Sequence, residues 1–147
     1  MMPTVTQTLS TMRLTLEQTV LPALPADGAF VQEQVGLMMA TLDWLVDVHE
    51  SEYRYELTEN EEYRAFFAAV GRETDAAPPA GDLAALRDQT RALKRAAADL
   101  VGDDEPAREL LLGLAERQGR REQAWFRMTG FPEDVPGDIA TVLAGAR

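Results

Sequence analysis

The hydrophobic pattern of this chain repeats at three and four residues almost from end to end, which predicts helices. Its longest run spans about Ala29 to Leu57. There the inner seam reads Val31, Val35, Met38, Leu42 and Leu45, then turns polar at His49, Glu52 and Glu56. Spacing of this kind places all eight residues on one helix face. A second pattern runs from Val5 to Val20, with Val5, Leu9, Met12, Leu16 and Val20 on one side. A third starts after Asp82 and keeps Leu83, Leu86, Thr90, Leu93, Ala97 and Leu100 in register before Gly102, a residue suited to end a helix. A fourth starts near Glu105-Pro106, where proline sits in the tolerated first turn, and ends before Gly130. A short helix is expected over Ile139–Ala144.

Four zones rich in proline and glycine separate these runs: residues 21–28, Gly71–Asp82, 102–104 and 130–138. The Gly71–Asp82 stretch has the composition of a flexible linker. Asp27 is a candidate cap for the second helix. Thr58-Glu59-Asn60-Glu61 matches a capping box, which predicts a break or kink near Leu57–Thr58 and a separate shorter helix from Glu59 to Val70. No segment alternates with the period of a strand. The expectation is one all-α domain over residues 1–147, an up-down-up-down four-helix bundle with a long, kinked second helix and a short C-terminal helix. Because Ala29–Leu57 would extend about 43 Å against roughly 25–35 Å for its neighbours, the second helix should overhang, bend or be covered by a partner.

Composition narrows the function. The 147 residues are enough for one core, and there is no cysteine, so neither disulfides nor thiolate chemistry is available. The first twenty residues lack the basic-then-apolar order of a signal peptide. No apolar run approaches the roughly 18 residues of a membrane span. A cytoplasmic protein is expected, without membrane association. The net charge of −11 is uneven: residues 1–82 hold 4 Lys and Arg against 14 Asp and Glu, and residues 83–147 hold 10 against 11. Such acidity repels nucleic acid.

Three clusters hold residue types suited to chemistry. His49, the one histidine, has Asp47, Glu50, Glu52, Tyr53 and Glu56 around it. A carboxylate-bridged di-iron site needs two Glu-x-x-His pairs, and Val46 stands three residues before His49, so no metal is expected there. On the fourth helix the apolar seam is interrupted at Gln118 and at Arg121 or Glu122 before Trp125 restores it. In an up-down-up-down bundle, His49, Glu52, Tyr53, Glu56, Gln118, Arg121 and Trp125 would gather as a polar layer able to bind a small ligand. The plainer alternative keeps His49 as a hydrogen-bonded helix residue and Arg121 as a surface partner for a glutamate. The basic stripe Arg87, Arg91, Lys94 and Arg95 is expected to face Asp43, Asp47 and Glu50 across a helix contact, or water. No serine sits in a nucleophile elbow, and no glycine-rich phosphate loop occurs.

The succession Thr19-Val20-Leu21-Pro22-Ala23-Leu24, Phe30-Val31-Gln32-Glu33-Gln34-Val35, a glutamate-rich helix and Asp82-Leu83-Ala84-Ala85-Leu86-Arg87 is similar to a family of small uncharacterised bacterial helical proteins. Its members are encoded beside aminoglycoside-phosphotransferase-like kinases and acyl-CoA dehydrogenases. The resemblance implies an accessory role beside such an enzyme and carries over no catalytic residue. With no complete catalytic set and no cofactor expected, the sequence points to a non-enzymatic interaction module forming a homodimer or binding a protein partner. A small-ligand-binding bundle, or an enzyme using the His49–Arg121 layer, is the alternative.

Overall fold

The computed structural model describes residues 1–72, 74, 77–102, 104–130 and 137–146, and among them it is all helix, with no strand. Helix α1 (Val5–Thr15) opens with a capping box in which the Thr4 hydroxyl accepts from the Gln7 amide and the Gln7 side chain accepts from the Thr4 amide. It runs on through a π-helical turn, Leu16–Val20, into a short helical turn, Leu21–Ala23. Pro22 has no N–H to give the preceding turn, and the wider turn lies just ahead of it. Helix α2 (Ala29–Val48) follows, with Gly28 at its N-cap; no side chain caps it, so Asp27 does not serve that role. A 3-10 turn, His49–Ser51, leads directly into α3 (Glu52–Ala69). The remaining helices are α4 (Leu83–Val101), α5 (Glu105–Trp125) and α6 (Ile139–Ala144), capped by the side chains of Asp82, Asp104 and Asp138. A 3-10 turn, Arg127–Thr129, follows α5.

The break in the long helix lies at His49–Ser51 rather than at Leu57–Thr58. Thr58 donates its hydroxyl to the Arg54 carbonyl one turn back, so α3 passes through the apparent capping box without interruption.

The chain does not run up-down-up-down. Lys94 meets Glu59, Thr90 meets Asn60, and Arg87 meets Glu52 and Glu56, so numbers rise together and α4 lies parallel to α3. A short connection would force antiparallel helices, but the segment after α3 returns along it. Tyr53 donates to the Ala80 carbonyl and Arg64 to that of Ala77. Gln89 accepts from the Ala80 amide and donates to the Pro78 carbonyl. The described part of the expected flexible linker is thus pinned; its Glu73, Asp75 and Ala76 lie outside the described residues. So does Asp103 of the third punctuation zone, and so do Phe131–Pro136 of the last. Helix α5 then runs antiparallel to both, with Arg121 and Arg117 against Glu62 and Trp125 against Tyr55.

Two buried clusters result. One joins Tyr63, Phe66 and Phe67 of α3, Leu93 and Ala97 of α4, and Ala107 and Leu114 of α5. The other joins Val48, Ala124, Ile139 and Leu143, with Trp44, Tyr55 and Trp125 against it. Helix α1 contributes no buried residue and packs on α2 as an antiparallel hairpin, marked by Arg13–Asp43 and Thr6–His49. Helices α1 to α5 therefore form a hairpin (α1, α2) and a three-helix bundle (α3, α4, α5) joined through the α2–α3 rod, not one four-helix core. Of the outcomes expected for the second long helix, the break at His49–Ser51 divides it, and α2 packs on α1, on the π-helical turn Leu16–Val20 and on the turn Arg127–Thr129.

Candidate functional site

Polar residues enter the core where α3, α4 and α5 meet. Glu59, Asn60, Thr90 and Arg121 are all buried. Glu59 accepts from Lys94 Nζ at 2.7 Å. Glu62 is shared by two arginines, Arg121 Nη2 at 2.7 Å and Arg117 Nε at 2.9 Å. Asn60 donates to Thr90 at 3.1 Å and accepts from Arg64 Nε at 2.6 Å. Aromatic faces cover the cations: Lys94 Nζ lies 5.8 Å from the Tyr63 ring centre and Arg121 Cζ 5.9 Å from that of Tyr55. Burial, reinforced by Glu59 and Glu122, holds the Tyr55 phenol well above the usual tyrosine value. Glu59 Oε1 and Arg121 Nε are buried without hydrogen-bond partners, and Arg121 Nη2 stands 3.9 Å from Glu59 Oε1. Each carboxylate here faces a cation, so the cluster clamps three helices together.

Of the residues expected to form one polar layer, the structure brings Arg121 into the core but beside Glu59 and Glu62, not beside His49. The reason is the direction of α5: running antiparallel to α3, it places Trp125 at Tyr55 and Arg121 one turn further along. His49 belongs to the hairpin. Its Nε2 lies 2.9 Å from Thr6 Oγ1, whose hydroxyl donates to Glu50 Oε1. The single hydroxyl proton being used, Thr6 accepts from His49, and the network assigns the ring proton to Nε2. Glu52 and Glu56 flank Arg87 at 3.5 and 3.9 Å. Tyr53 anchors the returning segment, and Gln118 donates to Glu122 on its own helix, on the exposed side. Trp125 packs edge-on against Tyr55 with ring centres 5.0 Å apart, and its carbonyl accepts from Trp44 Nε1. Of the basic stripe, Arg87 and Lys94 meet carboxylates of α3 and Arg91 pairs with Asp88 on its own helix; Asp43 and Asp47, expected opposite the stripe, pair instead with Arg13 and Arg127. Among the described residues no group of three or more His, Asp or Glu is placed to hold a metal ion.

Glu59 carries a sequence signal, whereas Glu62 lies off the seam. The seam His49, Glu52, Glu56 continues at the same spacing to Glu59, Tyr63 and Phe66. Ending it at a supposed break before Glu59 hid the continuation.

The second candidate is the hairpin surface. A groove of about 460 Å³ runs between α1 and α2, lined by Thr11, Met12, Thr15, Leu16, Met38, Thr41 and Leu42, none of them charged. The hairpin's ion pairs, Arg13 to Asp43 at 2.8 Å and to Glu17 at 2.7 Å, lie outside this lining. The three threonines donate their hydroxyls to the carbonyls of Gln7, Thr11 and Leu37 one turn back. The groove therefore shows water methyl groups and thioethers, with its hydroxyl donors already satisfied. Among the described residues no helix is long and apolar enough to cross a membrane. No family model, curated protein or solved structure matches this chain.

Proposed function

We propose that this chain is a non-enzymatic helical interaction module that docks other protein through the α1–α2 hairpin and uses the three-helix bundle as its rigid base. The observation behind the reading is the uncharged groove of Thr11, Met12, Thr15, Leu16, Met38, Thr41 and Leu42. Interface centres are depleted in charge and enriched in methionine, and isolated helical hairpins bury too little to leave such a face bare without a use. An accessory role beside a phosphotransferase-like or acyl-CoA enzyme fits this reading, as the family resemblance implies. The ligand-binding alternative draws on the two unpartnered buried atoms of Glu59 and Arg121. It is the weaker reading, because Glu62 and Lys94 already occupy the adjoining charges.

Oxidative footprinting tests the docking reading. Met12, Met38 and Met128 are similarly exposed, at 52%, 55% and 45%, so peroxide should oxidise all three at comparable rates in dilute purified protein. In the cells that express the chain, Met12 and Met38 should be protected relative to Met128. Equal oxidation of the three inside cells would remove the proposal.

A further inference from the structure

We infer that the hairpin's partner is a second copy of this chain, two α1–α2 hairpins closing face to face about a two-fold axis into an intermolecular four-helix layer. This rests on the docking reading above and names its occupant.

Charge is the first argument. The chain carries −11 overall, so two copies repel unless they meet where no charge is buried. The groove lining is such a place, and Arg13 takes up Asp43 and Glu17 next to it. A basic foreign partner would find its complement on the acidic surface elsewhere and would gain nothing from an uncharged groove.

Self-complementarity is the second. A two-fold interface sets each surface against itself, so every polar group must be content opposite its own copy. The hydroxyls of Thr11, Thr15 and Thr41 are spent within their own helices, and no donor among them asks for an acceptor across the axis. The exposed thioethers of Met12 and Met38 project from opposite walls of one groove, and their unbranched chains can settle into the same groove of a partner. Two helices leave one face uncovered, whereas four close a bundle.

Area is the third. Val5 and Met12 are one heptad apart on α1, as are Val31 and Met38 on α2, which extends the uncharged strip beyond the groove at both ends. With the threonines between them, complete burial of these exposed surfaces would cover at most on the order of 600 Å² per copy, about 1,200 Å² for a pair, the lower limit for a specific stable interface. A dimer of that size should dissociate on dilution through roughly the micromolar range.

Sedimentation velocity across a concentration series reads this directly. The full-length chain should pass from monomer to dimer as concentration rises. Met38→Glu should weaken the association at least 100-fold while its circular dichroism and melting stay native; Leu112→Glu, on the exposed side of α5, should leave it unchanged. Because the chain has no cysteine, Thr41→Cys gives an independent measurement. Mild oxidation should yield a disulfide-linked dimer from Thr41→Cys and none from Leu112→Cys. A monomer at every concentration, or a dimer that survives Met38→Glu with native structure and does not cross-link through position 41, overturns the inference. Protection of Met12 and Met38 in cells alongside a monomer in solution would leave the docking reading standing and refute only the second copy as partner.

Discussion

Removing Arg121 is the sharpest test of the polar clamp. Its side chain is 2% exposed and sits 2.7 Å from Glu62 Oε2 and 3.9 Å from Glu59 Oε1. Stripping one partner from a buried ion pair costs about 3–5 kcal/mol, because the remaining charge stays desolvated without compensation. Two features move Arg121→Met toward the lower limit. Glu62 keeps Arg117 and Glu59 keeps Lys94, so neither carboxylate is left wholly unpaired. The substitution also deletes the Arg121 Nε–H, a buried donor without a partner that itself costs on the order of 1 kcal/mol. The expected loss is therefore about 3 kcal/mol, or a melting temperature lower by about 6–12 °C for a chain of this size. Urea denaturation followed at 222 nm measures it, with an unchanged slope showing that compactness is retained. Arg121→Lys should recover only part, since one ammonium cannot bridge both carboxylates while stacking on Tyr55. Arg117→Ala, at a side chain 54% exposed, should cost less than about 1 kcal/mol. An Arg121→Met protein as stable as the wild type to within about 1 kcal/mol would refute the argument that this cluster clamps the bundle.

The core makes a contrast of near neighbours: Leu114→Ala, at a residue 1% exposed, should cost about 2–4 kcal/mol, and Leu112→Ala, 60% exposed, within about 0.5 kcal/mol of nothing. Equal costs in thermal melts would mean that α5 is rotated from the orientation described. Asp82→Ala removes the side chain that accepts from the Ala85 amide and should lower stability by about 1 kcal/mol, with Asp82→Asn largely restoring it. Tyr55 binds its proton more tightly folded than unfolded, so its contribution is complete below the ordinary tyrosine value of about 10 and declines as pH rises past it. Phenolate absorbance at 295 nm should accordingly show Tyr55 ionising only together with unfolding; a normal titration in the native state would place Tyr55 in water.

How much was legible depends on the range of the signal. Caps and periodicities within one helix were readable, as Asp82, Pro106 and the Ile139–Ala144 segment illustrate, because their physics spans a few residues. Direction was not. Proline and glycine between Gly71 and Asp82 announce an interruption, yet whether the chain turns back at once or first retraces α3 is decided by Tyr53, Arg64 and Gln89 reaching its carbonyls. Those bonds join positions 11 to 27 residues apart and leave no periodic trace. That one reversal separates Arg121 from His49. With α5 assumed parallel to the long helix, His49 and Arg121 reach similar depth; with α5 antiparallel to it, Arg121 meets Glu59 and Glu62. Thr58 misled for a related reason, since a threonine can bond the preceding turn within a helix as readily as it caps a new one.

The uneven charge of the two halves has its explanation in this same packing. The acidic α2–α3 rod spends its carboxylates internally: Asp47 on Arg127, Glu52 and Glu56 on Arg87, Glu59 on Lys94, and Glu62 on Arg117 and Arg121. Each of these cations comes from the second half of the chain, so the segregation of charge along the sequence becomes pairing across the fold. Five of the fourteen carboxylates of the first half are thereby held by cations of the second, so part of the first half's acidity works as an assembly code and the rest leaves the surface acidic. The outer hairpin of α1 and the start of α2 take no part in these pairs. There the chain presents methyl groups and thioethers instead, so two copies of charge −11 meeting there should associate more tightly as salt screens their repulsion, while the bundle's exposed ion pairs weaken.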